Sequence, residues 1–118
     1  MISVKFDYNK DTGTISLRMK GHAGQAEKGH DLVCASASIL AYTVAKYVEY
    51  VDDADGMMVE PHIEMDEGYT LIVANPTEEY IAEVLNAFFV AEVGFSLLEQ
   101  NYPQYVEVKM LGETEQKG

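Results

Sequence analysis

Residues 21–38 read GHAGQAEKGHDLVCASAS, and across this stretch the apolar pattern changes its period. Upstream, residues 2–9 (ISVKFDYN) and 14–20 (TISLRMK) alternate apolar with polar side chains. That puts Ile2, Val4 and Phe6 on one face and Ile15, Leu17 and Met19 on another. Lys10-Asp11-Thr12-Gly13 between them is turn chemistry, so a β-hairpin is expected. Gly21 and Gly24 break the alternation, and the loop to Gly29 has no period. Its glycines and charges predict a mobile connection, of the kind that serves as a lid or part of a cleft. Downstream, Val33, Ala37, Leu40, Ala41, Val44, Val48 and Val51 recur at the spacing of a buried helix face, predicting a helix from Leu32 to about Val51. The chain therefore passes from hairpin to helix here.

The same alternation of patterns continues. Asp52, Asp53, Asp55 and Gly56 close the helix; DDAD lacks the spacing of a calcium loop and reads as a solvated turn. Met57 to Asp66 and Tyr69 to Ala74 read as a second hairpin turning at Glu67-Gly68. Pro61, within the first of these strands, assigns it to an edge or a bulge. His62 is expected on the surface. Asn75-Pro76-Thr77-Glu78 predicts a helix start with Asn75 as N-cap and Pro76 at the first helical position. That helix runs to about Gln100 on the stripe Ile81, Val84, Leu85, Phe88, Phe89 and Phe95, with Gly94 weakening it. Tyr102-Pro103 ends it, residues 105–110 form a last strand, and 112–118 read as a polar tail. The order β-β-α-β-β-α-β predicts a single α+β domain over 1–111, a two-layer arrangement of five strands and two helices, with both helices on one face.

At 118 residues and 47% hydrophobic content the chain suits one compact domain of the usual size. One cysteine permits no internal disulfide, and MISVKFDY lacks the charged and apolar regions of a signal peptide, so a cytoplasmic location is expected. The apolar run 81–93 is broken by Glu83, Asn86 and Glu92, short of the roughly 20 apolar residues of a membrane span; a soluble protein is expected. Twenty acidic against eight basic side chains give a net charge of −12. This disfavours direct nucleic-acid binding, which depends on Lys and Arg, and favours a basic partner. Acidity that merely keeps a small protein soluble is the plainer reading of the same numbers.

The chemistry concentrates in residues 21–38. Asp31 before the apolar run is a candidate N-cap, which sets Cys34 in the first helical turn, where unpaired amides and the helix dipole favour thiolate. His22, on a Gly-flanked turn, is hard to explain as core. A cysteine with an imidazole is the minimum for nucleophilic catalysis: the thiol attacks and the imidazole takes and returns protons. First-turn amides, that of Cys34 included, are candidates for an oxyanion. A lone cysteine is otherwise a common small core residue. Asp31 either caps the helix or accepts from the His22 ring as the third member of a triad. Ser38, one turn past Cys34, either donates to the active-site group or bonds back to the Cys34 carbonyl.

The pattern Gly21-His22-Ala23, Gly29, Asp31, Val33-Cys34-Ala35 and Ser38 resembles the signature of the ribosomal-processing cysteine proteases, the Prp family. The likeness extends over nearly the whole chain, including the Tyr102-Pro103-Gln104-Tyr105 turn. Ser36 and Ala37 depart from the family's commoner alanine and valine, small for small. The resemblance implies a homodimeric cysteine endopeptidase with Cys34 as nucleophile and His22 as general base and acid, needing no metal or cofactor. Gly21, Gly29, Asp31 and Ser38 would support the pair. Its substrate would be the N-terminally extended precursor of bacterial large-subunit ribosomal protein twenty-seven. His30, closer in sequence to Cys34, has no place in that signature. Two rivals stand beside this reading. One is a non-catalytic acidic module binding a basic ribosomal or phage protein; the other is a redox or metal domain on His22, His30 and Cys34, which lacks both a resolving cysteine and a fourth ligand.

Overall fold

Strands Ile2–Tyr8 (β1) and Ile15–Lys20 (β2) pair antiparallel, with Val4 opposite Met19, Phe6 opposite Leu17 and Tyr8 opposite Ile15. The computed structural model describes residues 1–24, 31–54 and 56–111. Residues directly opposite in an antiparallel pair point to the same side. The two apolar sets of the hairpin therefore share one face, the helix-covered one, rather than lying on two. Helix α1 spans Leu32–Asp53, strands His62–Asp66 (β3) and Tyr69–Ala74 (β4) form the second hairpin, helix α2 spans Ile81–Asn101 and strand β5 spans Val106–Lys109.

The five strands form one mixed sheet in the order β3-β4-β2-β1-β5. β4 pairs antiparallel with β2, Ile15 facing Ala74, whereas β5 lies parallel to β1, Ile2 facing Val106. The parallel pair needs a crossover, and α2 supplies it. Both helices lie on the same side of the sheet, as the α+β reading expected. Ile2, Val4 and Phe6 of β1, Ile15 and Leu17 of β2, Ile72 of β4 and Val106 of β5 are buried beneath them, and the Phe6 and Phe95 rings meet edge to face at 5.8 Å. α1 buries Val33, Ala37, Ala41, Val44, Ala45, Val48 and Val51. Leu40 sits lower on that stripe and packs on α2 at Gly94, where a β-carbon would lie 2.8 Å from its Cδ2. The glycine that weakens α2 locally is what lets α1 approach it.

Four expectations are corrected. α2 does not begin at Pro76. Asn75 spends its side chain on tertiary bonds, accepting from Thr14 Oγ1 at 2.9 Å and donating to the Glu60 carbonyl at 3.1 Å, and a single 3-10 turn at Glu78–Tyr80 precedes the helix. Pro61 lies just before β3, which is nonetheless an edge strand. By length and composition, α1 and the stretch Glu78–Asn101 do reach what a membrane span requires. Their buried stripes face the sheet, however, and Glu92 is itself buried, accepting from the Leu111 amide at 2.7 Å. Phe89, expected in the buried stripe, is 49% exposed, and Ile39, Val93 and Leu97 are exposed as well. His62 is on the surface as expected.

Candidate active site

Cys34 is held by the residue in front of its helix. Asp31 has an extended backbone, its Oδ1 accepts from the Cys34 amide at 2.9 Å, and its carbonyl accepts from the Ala35 amide at 3.0 Å. This is an N-cap, with a buried carboxylate satisfying one of the orphan amides of the first turn. The bond has a chemical consequence: the Cys34 N–H is spent on Asp31, so it is not the free oxyanion donor that the sequence suggested. Sγ receives a different amide. Ala23, buried on the incoming chain, donates its N–H to the sulfur at 3.3 Å. Such a bond fixes the half-buried side chain and strengthens when the sulfur carries negative charge.

His22 comes from the end of β2. Gly21 before it has φ +94°, and a β-carbon there would fall on the Met1 carbonyl oxygen, so the chain passes this close to the start of β1 only because the residue is glycine. The Gly21 amide donates to the Gly68 carbonyl at 2.9 Å, and the His22 carbonyl accepts from the Met1 amino group at 2.6 Å. Backbone on both sides of His22 is thus tied down while its ring remains exposed. The ring lies against the β3–β4 turn. Among the described residues no hydrogen bond joins it to Cys34.

The cysteine, the histidine and the Gly68 turn open onto one cleft of about 790 Å³. It lies between the first turns of α1 and the end of the sheet where β2 stops and β3 turns into β4. Gly21, His22, Asp31, Cys34 and Ser38 line it together. Ser38 makes no hydrogen bond among the described residues; the back-bonding expected of a mid-helix serine occurs instead at Ser36, which donates to the Leu32 carbonyl at 2.7 Å. Gly29 and His30, the rest of the loop from residue 25, Asp55 and the tail 112–118 lie outside the described residues. Among those described, no three His, Cys, Asp or Glu side chains converge as metal ligands. The opposite wall of the cleft, residues 65–70, was legible only as a turn and the ends of two strands. No local signal announced that Gly68 would face His22, because the contact depends on the β2–β4 register, Lys20 opposite Tyr69. Asp66 and Glu67 join Asp31 on the walls, and no Lys or Arg lines them among the described residues.

The model of the family described as "Cysteine protease Prp" matches residues 1–107. No curated protein matches the sequence. Among solved structures, the essential ribosomal processing protease Prp of S. aureus, in complex with a covalently linked product peptide, superposes with a TM-score of 0.72 at 24% identity, over 92% of this chain and 98% of that one. The same protease with a substrate peptide gives 0.68 at 23% identity with the same coverage. SMU.848 from Streptococcus mutans gives 0.66 at 26% identity, covering 94% of both chains.

Proposed function

The chain belongs to the Prp cysteine protease family, and from that premise we propose that Cys34 and His22 cleave the N-terminal extension from the precursor of bacterial large-subunit ribosomal protein twenty-seven. The observation that carries this reading is the cleft that gathers Cys34, His22, Asp31 and Ser38, with the Ala23 amide on the sulfur. His22 accepts the thiol proton as Sγ attacks the scissile carbonyl. It then returns the proton to the departing amine, leaving a thioester that water hydrolyses with His22 again as base. In the free enzyme the ring rests on the β3–β4 turn; catalytic hydrogen bonds commonly tighten only when substrate is bound. The acidic cleft wall and the net charge of −12 suit a basic ribosomal precursor.

The enzyme acts in this reading as a cytoplasmic homodimer. Support for the dimer comes from Ile39 on α1 and Phe89, Val93 and Leu97 on α2, all exposed on the side of the helices away from the sheet. The three α2 residues stand at i, i+4 and i+8, one stripe of the helix, and so make a contiguous apolar strip. The deciding experiment is intact-mass spectrometry of the extended precursor incubated with the parent chain and with Cys34→Ala. One mass loss that vanishes in the variant supports the assignment. No cleavage by the parent, with the precursor still bound, favours the acidic binding module instead.

A further inference from the structure

Resting on the protease reading, we infer that Gly68, in the β3–β4 turn, is a positioning residue for His22. A β-carbon built on Gly68 would lie 2.9 Å from His22 Nε2, 3.4 Å from Cε1 and 3.7 Å from Cδ2. Three ring atoms thus converge on one point of the turn, which makes Gly68 a seat shaped to the Nε2 edge of the ring. The same residue holds the histidine's backbone through its carbonyl, which accepts from the Gly21 amide at 2.9 Å. With the Met1 amino group on the His22 carbonyl at 2.6 Å, the main chain cannot follow a displaced ring. A side chain at 68 would therefore be accommodated by the imidazole alone. A general base must come within hydrogen-bond reach of its proton, and a misplacement near 1 Å costs on the order of 100-fold in rate.

Gly68 also has φ +77°, so any alanine there adds backbone strain to the contact with the ring. Gly56 separates the two effects. It has nearly the same backbone, φ +71°, nothing within 4 Å of its β-carbon position, and no place in the cleft. Gly68→Ala and Gly56→Ala should lower the melting temperature alike. Only Gly68→Ala should reduce kcat on the extended precursor, by about 10- to 100-fold with KM within about twofold, and only it should displace the His22 ring resonances in spectra of histidine-labelled protein. Gly68→Asn keeps the β-carbon but tolerates the left-handed backbone. It should recover stability without recovering kcat, and it replaces the alanine variant if that fails to fold. Equal kcat in Gly56→Ala and Gly68→Ala, a loss confined to KM, or His22 resonances that stay put would overturn the inference. A parent chain without proteolytic activity whose His22 signals still move in Gly68→Ala would keep the seat, reject its catalytic purpose and reject the protease reading with it.

Discussion

Asp31 offers the sharpest test of how the fold prepares its cysteine. The residue is 8% exposed, and its Oδ1 lies 2.9 Å from the amide of Cys34, which it presents. Replacing it with alanine deletes the cap and leaves the Cys34 N–H half-buried without its acceptor. Loss of an N-cap costs about 1–2 kcal/mol, which in a domain of this size lowers Tm by about 4–10 °C. Asparagine caps nearly as well as aspartate, so Asp31→Asn should lie within about 2 °C of the parent. Activity should follow the cap. Under the proposed function, Asp31→Asn should retain most turnover of the extended precursor, whereas Asp31→Ala should lose about tenfold or more as the first turn frays and Sγ loses its position. Differential scanning calorimetry and initial rates on the same preparations provide the comparison. A loss of several orders of magnitude in Asp31→Asn at unchanged Tm would refute the reasoning, because the carboxylate's charge, acting on His22, would then matter and its capping bond would not.

Phe95→Ala should destabilise the domain by about 3–5 kcal/mol in urea unfolding, since the ring is fully buried against Phe6 and its removal leaves a cavity under α2. The edge strand β5 is guarded by α2 through Glu99, whose Oε2 accepts from the Val108 amide at 2.8 Å. Glu99→Ala should cost about 1–3 kcal/mol and speed hydrogen exchange at Val108 ahead of β1 and β2; uniform exchange would contradict the guard. Burial, with the nearby Glu83 charge adding to it, raises the Tyr47 phenol above its ordinary value of 10.0. A group raised on folding contributes stability that is whole below its unfolded value and fades as pH climbs through the folded one. Tyr47→Phe should therefore blunt the alkaline loss of stability above about pH 10 and leave stability at pH 7 nearly unchanged, as thermal melts across that range would register.

Much of this protein was legible because much of it is local. The period-2 runs of β1 and β2, the period-3.6 stripe of α1 and the Asp31 cap each lie within a few residues, and each formed where the pattern put it. The Cys34 environment shows where local reading stops. That an aspartate three residues ahead would cap the helix was readable. That the cap would consume the Cys34 amide, and that the amide on Sγ would come from Ala23, eleven residues back, was not. Asn75 makes the same point from the other side: it has the residue type of a cap, yet bonds to Thr14 and Glu60 outweighed that propensity. Glu92 looked like an interruption of an apolar helix and is instead a buried acceptor for the chain beyond β5.

By itself the sequence determined the elements, their order, the cysteine at a helix start and the family signature around it, since all of these are written in neighbouring residues. The tertiary structure alone decided the strand order β3-β4-β2-β1-β5, the shared face of the first hairpin and the meeting of His22 with Gly68. Those features depend on strand register and on chain closures across tens of residues. A one-residue slip in register would send every side chain of a strand to the opposite face, and what selects the register is the packing of the whole sheet beneath both helices rather than any single stretch of chain.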